Sequence, residues 1–214
     1  NIFLNDWRYC KKENRRAEDY VKDGYFPKIN IAGCVNLQVL ASGPDMPMQS
    51  IKETYIKMIT NAKKHVFIQS PYFVPDDSFM SAIKIAIASG VRVGIMIPQK
   101  SDHKAIFHVS ISYLKELLDI GASVYLYKGF LHSKALLVDD NQLSIGTCNT
   151  DNRSFGLNFE DTVIMYSKEL NEDYGKSIKE DIKNSVKLDQ KYYREKKWYT
   201  KFLQAIFRLG SPIL

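Results

Sequence analysis

Between His65 and Tyr127 the sequence alternates short apolar runs with helical stretches, and this restricts the fold more than any other feature. His65-Val66-Phe67-Ile68-Gln69 reads as a strand and is stopped by Ser70-Pro71. Asp76-Asp77-Ser78 offers an N-cap to a helix over Phe79–Ser89, and Gly90 ends it. Val91–Ile97 is an apolar strand closed by Pro98. A helix over Lys104–Asp119 follows, with Gly121 behind it, and then a strand over Ala122–Tyr127. Upstream, Val35–Leu40 alternates like a strand, and residues 49–62 set Ile51, Tyr55, Met58, Ile59 and Ala62 on one helical face. Strands separated by helices long enough to cross over predict an α/β fold with a mostly parallel or mixed sheet, covered by helices on both faces. Downstream, Ser133–Val138 and Gln142–Ile145 predict a hairpin around Asp140-Asn141, and Asp161–Tyr166 a last strand. Residues 168–188 and 190–209 carry helical patterns.

With 214 residues, 45% of them hydrophobic, the chain can build a full core. Three segments are expected: 1–34 as the tail of a preceding unit and a charged linker, 35–189 as the main domain, and 190–214 as a basic amphipathic helix. The net charge of +6 suits an anionic partner such as nucleic acid or a phospholipid surface, and equally a merely basic enzyme. Cys10, Cys34 and Cys148 show no metal-ligand spacing and suggest a reducing compartment. The opening Asn-Ile-Phe-Leu-Asn has neither an initiator Met nor a signal-peptide layout, as expected of a piece of a longer protein.

The chemistry concentrates in Phe130–Glu160. His132, Lys134 and Asp139 follow an H-x-K-x4-D spacing. On a strand, positions i and i+2 share a face, so His132 and Lys134 project together, about 7 Å apart in a regular strand. A titratable imidazole beside a fixed cation suits a phosphate, which needs charge neutralisation and proton transfer. Asp139 has the opposite parity and lies at the far end, which suits an orienting or salt-bridge role outside a phosphate pocket. Taken alone, the spacing is also met by ordinary strand ends. Gly146-Thr147-Cys148-Asn149 then follows a strand, where backbone can approach an anion and Thr147 and Asn149 supply donors. Glu160 opens the next strand, where a carboxylate would hold an imidazole in one tautomer.

Together, His132, Lys134, Asp139, Gly146-Thr147-Cys148-Asn149-x-Asp151-x-Arg153-Ser154 and Asn158-Phe159-Glu160 resemble the HKD motif of the phospholipase D superfamily. More narrowly, the chain is similar to the C-terminal half of the bacterial cardiolipin synthases. Ser70-Pro71-Tyr72-Phe73-Val74-Pro75-Asp76 and Ser101-Asp102-His103 match family segments at strand ends. The resemblance implies a metal-free, cofactor-free phosphatidyl transfer through a phosphohistidine, which condenses two phosphatidylglycerol molecules into cardiolipin and glycerol. It implies catalytic roles for His132, Lys134, Asp139 and Glu160, with His132 as acid/base and Glu160 orienting it. Thr147 and Asn149 would bind phosphate, and Tyr72, His103 and Ser154 are candidates for the pocket wall. The implied partners are phosphatidylglycerol and an anionic membrane surface, not nucleic acid, and the implied location is a bacterial cell membrane, with this piece soluble on the cytoplasmic side.

A departure from the family accompanies these expectations. The site needs two HKD motifs, and no second H-x-K-x4-D occurs here: His65 and His108 lack the lysine, and His103 has Lys104 directly behind it. The chain is therefore expected to need the missing N-terminal half, or a second copy in a homodimer. The alternatives are a phospholipase D-type phosphodiesterase or nuclease, since water can serve as acceptor, and a non-catalytic scaffolding half. Cys148 is expected to be a small buried filler. In residues 190–210, Trp198, Phe202, Ala205, Ile206 and Leu209 form a stripe flanked by Arg194, Lys197, Lys201 and Arg208. Such a helix either docks on the domain or lies on an anionic membrane.

Overall fold

The computed structural model describes residues 2–12, 19, 33–195 and 207–208. A mixed eight-stranded sheet runs in the order β1-β9-β7-β6-β2-β4-β5-β10. Its members are β1 (Asn36–Ser42), β2 (His65–Gln69), β4 (Arg92–Pro98), β5 (Ser123–Tyr127), β6 (Ala135–Val138), β7 (Gln142–Gly146), β9 (Glu160–Tyr166) and β10 (Ser185–Lys187). The strand–helix repeat produces the parallel part, β2–β4–β5. The parallel share is smaller than expected, because the other five pairings are antiparallel. A short link explains one of them: residues 139–141 join β6 to β7 and return the chain antiparallel, whereas the other four pair strands separated by longer stretches.

Side-chain alternation sorts the sheet into two faces. Val66, Ile68, Val93, Ile95, Ile97, Leu136, Val138 and Ile164 join the main core with helices α2 (Ser50–Asn61), α3 (Asp77–Ala88) and α4 (Lys104–Asp119). The alternate positions Phe67, Leu137, Leu143 and Met165 pack against Tyr174, Ile178 and Ile182 of α6 (Lys168–Lys183). Helices thus cover both faces, with α2, α3 and α4 on one and α6 on the other. The punctuation read from the sequence is in place. Asp76 caps α3 by accepting from the Phe79 amide at 2.8 Å, and Gly90 and Gly121 take positive φ behind α3 and α4.

Four short elements escape a periodicity reading. β3 (Phe73–Val74) and β8 (Thr150–Asp151) pair as a separate two-stranded parallel sheet. α5 (Asn152–Gly156) follows β8 directly. α6 ends at Lys183, and β10 occupies residues expected to continue that helix, pairing with β5. At the opposite edge, β1 pairs only with β9, so Leu37 and Val39 stay exposed despite their alternation. α1 (Ile2–Lys11) lies beside the sheet end, with Tyr9 edge-on to Phe159 at 5.1 Å. Of the expected C-terminal helix, α7 (Gln190–Arg194) is described, and Trp198, Phe202, Ala205, Ile206 and Leu209 lie outside the described residues, as does most of the 13–32 linker. Arg208 pairs with Glu116 at 2.6 Å and covers the Tyr113 ring at 4.4 Å, both on α4.

Candidate active site

β6 begins at Ala135, so His132 and Lys134 sit in the extended run ahead of it rather than within a strand from Ser133. Their shared direction survives. Leu131 is buried, and the Ser133 hydroxyl lies 2.9 Å from that of Tyr174 on α6, which turns the even-numbered positions to the opposite side. Lys134 Nζ donates to the His132 carbonyl at 2.8 Å and sits 2.9 Å from His132 Nδ1. The exposed Phe130 ring stacks on the imidazole at 5.7 Å with 9° between planes. Lys134 Nζ also lies 3.4 Å from Nε2, so the ammonium faces both ring nitrogens and is nearer to Nδ1.

Partial burial lowers the Lys134 ammonium from its ordinary value, while Glu160, Asp151 and Asp102 pull the other way. These three carboxylates therefore belong to the electrostatic surroundings of the site. Glu160 does not take the position expected of it. It accepts from the Thr147 hydroxyl and, at 3.2 Å, from Asn158 Nδ2, while His132 is held by Lys134 and Phe130. Thr147 also accepts from the Asp161 amide at 3.0 Å. Its hydroxyl is engaged in tying the Gly146–Asn149 turn to β9, a different task from the phosphate contact expected of it.

Asn149 donates through Nδ2 to Ser154 Oγ at 3.3 Å, while its Oδ1 is buried with no hydrogen-bond partner. Ser154 is itself buried; its amide donates to Asp151 at 2.6 Å, and its hydroxyl receives Asn158 Nδ2 at 3.5 Å. Burial raises the Asp151 carboxyl, and Glu160 raises it further, against the bonds from Ser154. Below this network lies a buried polar triad: Tyr55 hydroxyl is 3.2 Å from Thr162 and accepts from Ser144 at 3.0 Å.

A cleft of about 310 Å³ opens next to Asn149, walled by Tyr72, His103, Asn149, Arg153, Ser154 and Asn158. It unites the three expected wall residues, Tyr72, His103 and Ser154, although their segments are far apart in sequence. The parallel β3–β8 pair brings them together, reinforced by Ser70, which is fully buried, donates to Tyr72 O at 2.6 Å and accepts from the Thr150 amide at 3.0 Å. Tyr72 donates to both carboxylate oxygens of Asp102 at 2.8 Å, and its ring centroid is 6.0 Å from that of His103. Burial and the Asp102 charge push the Tyr72 phenol up to about 12, and the Tyr72 bond lowers the Asp102 carboxyl. His132 and Lys134 are not in the cleft lining, which Lys134 reaches electrostatically through Asp151 and Asp102.

Asp139 stands at the other end of β6, in the left-handed region with φ of 49°. It accepts from the amides of Lys63 at 2.9 Å, Lys64 at 2.7 Å and His65 at 3.0 Å. These bonds fasten β6 to the start of β2, away from the His132–Lys134 pair, as its opposite strand parity suggested. Cys148 is buried, and burial pushes its thiol up, which keeps it neutral and inert. Sequence reasoning gave Asp102, Asp151 and Arg153 no role; their sole signal was adjacency to His103, Asn149 and Ser154 in the quoted motifs. Among the described residues, no cluster of three or more His, Cys, Asp or Glu side chains is arranged to hold a metal ion.

Comparison with known proteins places this geometry among relatives. The family described as "Cardiolipin synthase, PLD-like domain" matches residues 55–182. Cardiolipin synthase from Listeria welshimeri is 43% identical over 213 residues, covering 99% of this chain and 44% of that protein. Cardiolipin synthase from Staphylococcus aureus is 41% identical, covering 99% and 42%. The chain thus spans under half the length of these curated relatives. In fold it is similar to Nuc, a phospholipase D family member from Salmonella typhimurium, with a TM-score of 0.64, 20% identity and coverage of 73% of this chain and 99% of that one. It is likewise similar to phosphatidylserine synthase from Haemophilus influenzae, with a TM-score of 0.68, 17% identity and coverage of 87% and 49%.

Proposed function

Because the chain belongs to the family of phospholipase D-like domains of cardiolipin synthases, we propose that it is one catalytic half of a phosphatidyltransferase that joins two phosphatidylglycerol molecules into cardiolipin and glycerol. The observation that carries this reading is the His132–Lys134 pair, with the ammonium 2.9 Å from Nδ1 and 3.4 Å from Nε2 of the same imidazole. In the first step a histidine nitrogen from the missing half attacks phosphorus. The P–O bond to glycerol breaks, and the protonated imidazole of His132 gives its proton to the departing oxygen and is left neutral. In the second step the hydroxyl of another phosphatidylglycerol attacks the same phosphorus. The P–N bond breaks, its electron pair returns to the imidazole, and the hydroxyl proton goes to the ring of His132. Lys134 and Asn149 neutralise and hold the non-bridging phosphate oxygens. Thr147 and Glu160 keep the turn that carries Asn149 pinned to β9.

The other histidine comes from a second half of the same protein or from a second copy of this chain. The reaction takes place at a bacterial membrane surface that supplies the lipid; no helix among the described residues is long and apolar enough to cross that membrane. The test is cardiolipin formation by the full-length protein on phosphatidylglycerol vesicles, with and without His132→Ala. Loss of product by several orders of magnitude is expected from removing an acid/base group. Undiminished cardiolipin from the variant would remove His132 from the mechanism, and exclusive release of phosphatidic acid by the wild type would assign water as the acceptor.

A further inference from the structure

Donor and acceptor in the proposed reaction are the same anionic lipid, so the second step holds two phosphates at once. The three glycerol carbons of the acceptor separate them. Lys134 serves the first phosphate, and its charge is already shared with His132 and faced by Glu160, Asp151 and Asp102. A second phosphate nearby needs a cation of its own.

The cleft beside Asn149 contains one. Among its lining residues Arg153 is the only Lys or Arg, and among the described residues no acid or acceptor engages its guanidinium. The remaining wall suits a glycerophosphate headgroup. Val74 and Ile106 offer apolar surface for carbon, and Asn149 and Asn158 offer amides for hydroxyls. Asn149 Oδ1 is buried without a partner, an acceptor left for a hydroxyl hydrogen. A volume of about 310 Å³ admits a headgroup and leaves acyl chains outside. Arginine also suits the task, since its planar fork can bind two phosphate oxygens together.

We propose that Arg153 and this cleft form the acceptor subsite, where the guanidinium holds the phosphodiester of the second lipid and the asparagines guide its terminal hydroxyl to the phosphorylated histidine. The inference rests on the phosphatidyl-transfer reading and adds a residue that governs the choice between lipid and water.

The test follows product partition. Full-length wild type, Arg153→Gln and Arg153→Lys are assayed on phosphatidylcholine vesicles with a graded fraction of phosphatidylglycerol, and glycerol, cardiolipin and phosphatidic acid are measured together. At low phosphatidylglycerol, Arg153→Gln is expected to lower the ratio of cardiolipin to phosphatidic acid about tenfold to a hundredfold, the range for losing a charge-assisted bond. The deficit should shrink as the phosphatidylglycerol fraction rises, and Arg153→Lys should lie between the two. The ratio is counted per turnover, so partial unfolding does not move it. An unchanged ratio overturns the acceptor subsite, whether total glycerol release stays constant or falls. A wild type that makes no cardiolipin refutes the phosphatidyl-transfer reading itself, before any variant is compared.

Discussion

Asp139 shows how a motif residue can matter without touching substrate. Burial would raise its carboxyl, but amide donors from His65, Lys63 and Lys64 bring it below its ordinary value. A carboxylate with a depressed folded pKa stabilises the fold above its unfolded value, and this contribution disappears as pH falls through the folded value, below about 4. Asp139→Ala is expected to lower stability by about 1–3 kcal/mol, since it strands three amides and leaves at positive φ a residue without the polar side chain that favours that region. Asp139→Asn keeps the left-handed preference and should lose less. Denaturant melts at pH 7 check both, and equal losses would discard the conformational share. Cysteine labelling supplies another residue-scale prediction. Cys10 and Cys34 are exposed and Cys148 is buried. The native protein at pH 8 should therefore alkylate at the first two positions and leave Cys148 protected until denaturant is added, as intact mass spectrometry would show. Lys134→Gln removes the cation held against His132 and should cost the full-length enzyme about a hundredfold or more in rate, measured as glycerol release.

At the scale of elements, the site depends on how closely β7 and β9 meet. A β-carbon at Gly146 would lie 2.3 Å from Asp161 O and 2.7 Å from Thr162 Cα, both backbone atoms that cannot swing aside. Gly146→Ala should therefore push the strands apart. The expected loss is about 1–3 kcal/mol, the usual range for overpacking. The same shift would part Thr147 from Glu160 and carry Asn149 off its position. Hydrogen exchange should report it, with faster exchange at the Thr147 and Asp161 amides. Protection equal to wild type would show that the pairing tolerates the methyl group. The β3–β8 pair operates at this scale too: two residues on each side decide that the Tyr72 and Asn149 segments share one cleft.

At the scale of the whole molecule, the chain brings one histidine–lysine pair to a reaction that the proposed mechanism divides between two histidines. As a strict monomer the 214-residue chain is expected to form no cardiolipin, and adding a polypeptide that carries the second histidine–lysine motif should restore activity. Sedimentation run alongside the lipid assay checks this, and steady turnover from a monomeric sample would contradict the two-histidine scheme.

Much of this molecule can be read from local pattern. Periodicity, caps and glycines set β2, α3, β4 and α4 nearly to the residue, because each signal acts within a few positions along the chain. The H-x-K spacing likewise determined that His132 and Lys134 face one way, since alternation holds in any extended run. Tertiary structure alone decided what those side chains meet. Glu160 bonds Thr147 and Asn158 instead of His132, Asp139 serves β2, and Arg153 shares a cleft with Tyr72 and His103 without a partner among the described residues. The mixed pairing of the sheet and the two-residue strands β3 and β8 belong to the same category. Each depends on contacts between segments distant in sequence, where no local period or propensity carries a signal.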